Sequence, residues 1–269
     1  MTAGGYLGSQ IDPTRPNIAR VYDYLLGGKD NFEADRDLGN KIKDAMPGVR
    51  LGVEQQRAVL RRVVRHLVGE AGIRQIIDIG SGLPTAGNVH ETAREIDPAT
   101  RVVYVDHDPV VLAHARALMA DDKTTIAIGG DARDVDGILG DAELAAHIDL
   151  GRPVGLLLCG ILHHILDEED PFGMVAAYRD ALPSGSYIFV HHLAEVDDPA
   201  VAAGQAELQR ATGRGQFRPA DRIARFFEGL EMVDPGLVTV AEWRPDATTP
   251  SVHANPVLRL AVAGLGRKP

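Results

Sequence analysis

The sequence predicts an α/β fold in which a mostly parallel sheet is covered by helices on both faces and preceded by a helical cap. Three observations carry this. Residues 16–71 are rich in helix formers and hold no strand pattern. From Gln75 onward, short runs that are apolar nearly throughout alternate with helical segments, the pattern of parallel strands buried on both faces. Between these regions, Gln75-Ile76-Ile77-Asp78-Ile79-Gly80-Ser81-Gly82-Leu83-Pro84-Thr85 reads as strand, glycine turn and helix start in immediate succession. With 269 residues and 45% hydrophobic composition, the chain can build one α/β unit with an attachment.

In chain order, helices are expected over Asn17–Leu26, ending at Gly27-Gly28; over Phe32–Ala45, ending before Pro47; and over Leu51–Glu70, ending near Gly72. Then follow strand 75–79, helix 84–96, strand 101–106, helix 109–119, strands 124–129 and 153–159, helix 171–182 and strand 185–192. Ala200–Thr212 and Pro219–Phe227 read as helices, and Leu237–Trp243 with Val257–Ala263 as a closing hairpin pair. Pro and Gly are dispersed and no repeat appears, so the cap (1–72) and the sheet domain (73–269) are expected to form one compact unit.

Composition narrows the function. A net charge of −10 makes nucleic acid an unfavourable partner, because phosphate backbones are bound by clustered Lys and Arg. The single Cys159 cannot form an internal disulfide and fits a reducing compartment. No apolar run approaches the ~20 residues of a membrane span, and Met1-Thr2-Ala3-Gly4-Gly5 lacks the marks of a signal peptide. A cytoplasmic protein acting on a small molecule, with no membrane or nucleic-acid partner, is expected.

Ligands of open parallel sheets bind beyond the carboxyl ends of the strands, so strand ends hold the candidate residues. Gly80 and Gly82 permit positive φ and close approach of a ligand to the backbone, with free amides expected to face it. A dinucleotide fingerprint would place a third glycine where Thr85 stands, and would not require Asp78; an adenosine ligand of another kind is therefore favoured. Asp106, ending the second strand, can accept from both ribose hydroxyls, with His107 beside it. Asp108, before Pro109, reads as a helix cap. Asp131, with Ala132, ends the third strand and can accept from an adenine amino group. Cys159 ends the fourth strand and is counted with the cofactor-lining residues as a buried thiol, since no basic side chain adjoins it. His163 or His164 is the candidate general base, with capping or packing as the competing role. The pairs His163-His164 and His191-His192 lack accompanying ligand patterns, so no metal is expected.

Asp-x-Gly-x-Gly after an apolar strand resembles the first motif of class I methyltransferases, which surrounds the amino-acid end of S-adenosylmethionine. The run Ile11-Asp12-Pro13-Thr14-Arg15-Pro16-Asn17-Ile18-Ala19-Arg20-Val21-Tyr22-Asp23-Tyr24-Leu25-Leu26-Gly27-Gly28-Lys29-Asp30-Asn31-Phe32 resembles a bacterial family of S-adenosyl methyltransferases. So do Asp35-Arg36, Ile79 to Thr85 with Asn88-Val89-His90-Glu91, Val103 to Pro109, Leu162-His163-His164-Ile165, and Gly229-Leu230 through Trp243-Arg244-Pro245. The chain departs from that pattern at Gln55-Gln56-Arg57, where an Asn-Arg pair is usual, at His107 for Asn, and at His191-His192 for a Ser-His ending; the first and last departures point to a different acceptor pocket. The resemblance implies a Rossmann-like class I fold with S-adenosylmethionine as cofactor.

The amino-terminal run also has a physical reading. Arg20, Tyr22 and Lys29, next to flexible Gly27-Gly28, can form a lid over the cofactor, with Arg20 or Lys29 meeting its carboxylate; a plain helical hairpin covering the sheet is the equal alternative. The sequence thus supports an S-adenosylmethionine-dependent methyltransferase, with a catalytically silent S-adenosylmethionine or S-adenosylhomocysteine sensor as runner-up. A nicotinamide-dependent reductase ranks third, because no Tyr-x-x-x-Lys pair is present.

Overall fold

A computed structural model describes residues 12–84, 87–119, 122–253, 255 and 257–269. Three helices come first: α1 (Ile18–Leu25), α2 (Glu33–Ala45) and α3 (Val49–Arg65), the last running into a π-helical turn at His66–Glu70. Then follow β1 (Gln75–Ile79), α4 (Val89–Arg94), β2 (Arg101–Asp106), α5 (Pro109–Leu118), β3 (Thr125–Gly129), α6 (Val135–Leu139), α7 (Ala142–His147) and β4 (Gly155–Cys159). The remainder comprises α8 (Pro171–Ala181), β5 (Tyr187–Leu193), α9 (Pro199–Thr212), α10 (Ala220–Ala224), β6 (Glu231–Met232), β7 (Val238–Thr239), α11 (Val257–Leu260) and β8 (Ala261–Arg267).

The sheet order is β3-β2-β1-β4-β5-β8-β6, with β7 also paired to β8. Strands β1 to β5 run parallel, and β8 is antiparallel to β5 over Tyr187↔Arg267 to Leu193↔Ala261. Strand order reverses between β1 and β4, so a crevice opens beyond their carboxyl ends. One sheet face buries Ile77, Ile79, Val103, Val105, Leu156 and Val190 beneath α6–α8 and α10. The other buries Ile76, Val102, Leu157 and Phe189 beneath α3 and α4, with Trp243 fully enclosed. Because successive strand residues point to opposite faces, Asp78 falls on the α3 side with Ile76.

The amino-terminal helices do not form a core of their own. Val21, Leu25, Leu38, Ile42, Met46 and Val53 share one cluster with Val201, Leu208, Phe217, Leu258 and Leu260 from the last third of the chain. Among the described residues no helix is long and apolar enough to cross a membrane.

Several expectations shift. The helix expected over 84–96 begins only at Val89, because Gly87 takes φ 76° and Glu91 closes on the amides of Gly87 and Asn88. Thr85, the expected third-glycine position, lies outside the described residues, as do residues 1–11. Helices α6 and α7, not expected, are capped by Asp134 and Asp141. The closing hairpin is displaced: Val257–Leu260 is helical, β8 starts at Ala261, and its outer edge is met by two short pieces, β6 and β7. The turn at Val233–Gly236, with Gly236 at φ 88°, separates those pieces.

Candidate cofactor-binding site

Beyond β1 the chain turns at Gly80 (φ 69°) and Gly82 (φ 68°), both in the region that favours glycine. A β-carbon on Gly80 would meet Ile161 at 2.9 Å, whereas one on Gly82 would meet nothing within 4 Å. The loop is therefore pressed against the β4 loop on one side and open on the other. Its amides are not free, contrary to expectation. Gly80 N and Ser81 N donate to the Val105 carbonyl (2.8 and 3.2 Å), and Gly82 N donates to Asp106 Oδ2 (2.9 Å). Strand β2 holds the loop shut, so room for a ligand comes from the missing side chain at Gly82.

Asp106 is the hinge of this arrangement. Its Oδ1 accepts from Asp108 N at 2.9 Å, so each carboxylate oxygen already holds one backbone N–H and keeps a lone pair for another donor. Burial raises its pKa and the two N–H groups oppose that rise. Asp108 caps α5 through Val110 N (2.7 Å), as the sequence suggested, and also accepts from Asn17 Nδ2 (2.5 Å). His107 is exposed, its Nδ1 3.8 Å from Asp106 Oδ1.

Asp131 is engaged by a neighbour the sequence did not assign to it. Arg133 Nε donates to Asp131 Oδ1 (2.9 Å) and Nη2 to Oδ2 (2.5 Å), which lowers the pKa of Asp131. Arg133 also pairs with Glu169, and Glu169 with Arg214, so the loops after β3, β4 and α9 are joined in one ion network. Ala132 is buried, and its carbonyl accepts from Tyr178 Oη (2.9 Å).

Behind the glycine loop, Asp78, Arg57, Asn88 and Tyr104 line a small hollow with Ser81 and Gly82. Burial lifts the pKa of Asp78 to about 7, against the pull of the Arg57 charge. Arg57 Nη2 donates to Asn88 Oδ1 (3.3 Å). Cys159 follows on the same face, 3.8 Å from Gln56 Nε2; burial, then the Asp78 charge, pushes its thiol up to about 12, leaving it a neutral lining group. Tyr22 of α1 roofs this row, its Oη donating to the Val53 carbonyl (3.1 Å) and its pKa raised by burial. Arg57 and Gln56 were not named as site residues; their unusual triplet was visible in the sequence, but only the packing of α3 over the strand ends puts them beside Asp78 and Cys159.

The other residues assigned to a lid take different places. Arg20 is buried, with Nε 2.7 Å from Asp35 Oδ2 and Nη2 2.8 Å from the Arg15 carbonyl. Its guanidinium is thus engaged within the helical hairpin, where the sequence had it reach toward a cofactor carboxylate. Lys29 is exposed in the α1–α2 loop. The two glycines there serve different ends: Gly27 takes φ 84°, and a β-carbon on Gly28 would overlap the Asp23 carboxylate, which accepts from Asp30 N (2.9 Å) and Asn31 Nδ2 (2.8 Å).

The histidines divide between the two sheet faces. His163 and His164 form a short 3₁₀ turn after β4, their rings 4.2 Å apart. Burial drives His163 well below its ordinary pKa and His164 down to about 4, so both are neutral at physiological pH and weak as bases. On β5, His192 Nδ1 donates to the Leu193 carbonyl (2.8 Å) and Nε2 accepts from Arg218 Nη1 (2.8 Å), since an arginine only donates. The buried Arg218 also donates to the carbonyls of Leu162 (2.9 Å) and Ile165 (2.7 Å) and to Asp167 (3.0 Å), fixing the loop that carries His163 and His164. Sequence reasoning did not single out Arg218, because it lies about fifty residues from its partners.

A parallel β3-β2-β1-β4-β5 array flanked by the antiparallel β8, with an acid closing β2, defines a class I methyltransferase fold. The chain belongs to the S-adenosyl methyltransferase family, which it matches over residues 5–269. The crystal structure of a proposed methyltransferase from Thermobifida fusca YX is 45% identical, with a TM-score of 0.91 over 95% of this chain and 96% of that one. A DUF574 family protein from Streptomyces avermitilis MA-4680 is 38% identical, with a TM-score of 0.93 over 97% and 100%. Human N-acetylserotonin methyltransferase in complex with SAM shares the fold at 16% identity, with a TM-score of 0.50 over 95% of this chain and 63% of that one. No curated protein matches the sequence. The cofactor of the family is S-adenosylmethionine, and the open face at Gly82 and the available lone pairs of Asp106 fit it.

Proposed function

We propose that this protein transfers the methyl group of S-adenosylmethionine to a small-molecule acceptor at the carboxyl ends of β1, β2 and β4. The observation that carries the reading is Asp106, a buried carboxylate fixed by Gly82 N and Asp108 N at the strand end next to the glycine loop. Held so, it can take two vicinal hydroxyls without reorganising. Gly80 makes the turn and Gly82 gives the ligand room, while Asp78 would face its ammonium group and Arg57 its carboxylate. Asp131, Ala132 and His107 border the adenine, and Cys159 lies beneath the methionyl chain. Tyr22 is the part of the amino-terminal segment that covers the site.

When bound, the cofactor supplies a sulfonium methyl: the acceptor's lone pair forms the new bond, the carbon–sulfur bond breaks, and its electrons neutralise the sulfur. This chain's contribution is orientation and exclusion of water. The depressed basicity of His163 and His164 argues that they shape the acceptor's seat and that the nucleophile arrives already deprotonated or neutral. The arginines at the rim, Arg133 and Arg214, are paired with Asp131 and Glu169, and the chain carries a net charge of −10; both favour a small acceptor over a nucleic acid.

Calorimetry with S-adenosylmethionine and S-adenosylhomocysteine, followed by incubation with labelled methyl donor and a small-molecule cell extract, tests the proposal. Label recovered in a small product supports it. Binding with no transfer would turn the reading to a sensor, and failure to bind either compound would overturn it.

A further inference from the structure

At the end of the sheet opposite the cofactor crevice, a cavity of about 270 Å³ opens among the residues that begin β1, β4 and β5 and end β8. Strand rise puts it about 15 Å from the glycine loop along β1. Its wall includes Arg74, Arg152 and Arg267 with Tyr187, Gly72 and Gly185, and it contains no aspartate or glutamate. In a chain of net charge −10, three guanidinium groups gather at one cavity, with the carboxylates of Asp97 and Glu231 standing behind two of them and outside the lining.

We propose that this cavity binds the phosphoryl group of a small phosphorylated metabolite. Two of the arginines have side-chain partners behind the cavity. Arg74 has Nε on Asp97 (2.7 Å) and Nη1 on the carbonyls of Val68 (2.8 Å) and Ile73 (3.0 Å), while Arg267 has Nη1 on Glu231 (3.0 Å). Each pairing occupies one part of a fork and leaves further N–H donors for an oxyanion. Arg152 is exposed on the loop before β4, where its own amide is tied to the Asp149 carbonyl (3.0 Å). A permanently charged planar fork suits tetrahedral phosphate oxygens.

The backbone leading into the cavity is also unusual. Helix α3 ends in the π-helical turn His66–Glu70, with Ala71 N reaching the His66 carbonyl (2.9 Å), and Gly72 then takes φ 70°. Such turns are rare and are found frequently at functional sites. The same turn places the His66 ring edge-on to Tyr187 (6.4 Å, 84°), which steadies one wall of the cavity. Volume, charge and a preformed wall together match a phosphoryl group with a few attached atoms.

Amide NMR of the full chain, titrated with inorganic phosphate against sodium chloride of equal ionic strength, tests this. Phosphate should move the resonances of Gly72, Arg74, Gly185 and Tyr187 while those of Gly80 and Gly82 stay in place. Arg152→Ala and Arg267→Ala should each weaken binding about tenfold, a loss expected for one charge-assisted contact. Arg50→Ala, at an exposed pair elsewhere, should change nothing. Absence of shifts at these amides in large phosphate excess would overturn the proposal, as would unchanged affinity in both cavity variants. Acetate binding as tightly as phosphate would overturn the phosphoryl assignment.

Discussion

The side-chain amide of Asn17 donates to the carboxylate of Asp108 (2.5 Å), joining the N-cap of α1 to the N-cap of α5 across 91 residues. Asn17 Oδ1 accepts from Ala19 N and Arg20 N while Asp108 Oδ1 accepts from Val110 N, so each residue caps its own helix and holds the other. The amino-terminal helices are thereby fastened to the loop that follows Asp106.

Asp108→Ala should accordingly lower stability by about 1–2 kcal/mol, the loss of a cap and of a buried cross-link. Cofactor affinity should fall less than tenfold, because the Asp108 backbone N–H still supports Asp106. Urea denaturation and calorimetry measure the two effects separately. A variant that folds normally but no longer binds the cofactor would show Asp108, not Asp106, to be the ligand group.

Asp106→Ala should weaken S-adenosylmethionine by roughly 1.5–3 kcal/mol, since a charged acceptor and the anchor of Gly82 N disappear together. Asp106→Asn should rescue little, because its amide nitrogen would confront one of two backbone donors. Full affinity in the asparagine variant would mean that the carboxylate charge is not needed.

Asp78 titrates at about 7 in the fold against an ordinary value of 3.8. Its folded pKa is raised, so its contribution to stability is fully present below about pH 4 and is lost as pH rises through about 7. Relative to Asp78→Asn, the unliganded wild type should therefore lose stability between about pH 5 and about pH 8, by something of the order of 2–4 kcal/mol. If the cofactor's ammonium group faces Asp78, binding should release a proton below about pH 7 and tighten as pH rises. Calorimetry in buffers of different ionisation enthalpy reads that proton directly, and the asparagine variant should release none.

Arg20→Ala should cost about 3 kcal/mol of stability, because Asp35 would be left buried with only the amides of Asn17 and Phe32. Lys29→Ala, at an exposed position, should be nearly silent in stability. Equal melting temperatures for the two variants would contradict the buried pair.

Native Cys159 should resist iodoacetamide at about pH 8, since its thiol is held up to about 12. It should react at the ordinary rate once the chain is unfolded in urea. Rapid native alkylation would place the thiol in a more open, more polar setting than the row formed by Asp78, Gln56 and Tyr22.

Much of the sheet was legible because its strands are nearly all apolar and Asp106 and Gly129 close β2 and β3: β1 and β2 lie where their residues predicted, and Asp108 before Pro109 is a cap. Local chemistry governs those features. The displaced carboxyl-terminal strands were less legible, since Val257–Leu260 and Ala261–Arg267 are equally apolar and only pairing with β5 decides where helix ends and strand begins. Asp131 was legible as a strand-end acid, yet its partner Arg133 and the chain of charges to Glu169 and Arg214 required three loops to meet.

The sequence by itself determined the α/β class, the glycine loop with Asp78 and Asp106 at neighbouring strand ends, and the family, because these depend on periodicity, backbone freedom and order along one chain. Only the tertiary structure decided that the loop's amides are turned onto β2, that Arg20 pairs with Asp35 while Arg57 lies beside Asp78 and Gly82, and that Arg218 fixes the loop after β4. The physical reason is common to all three: a donor buried away from water must find its acceptor in space, and these partners are brought together only when helices, strands and loops pack.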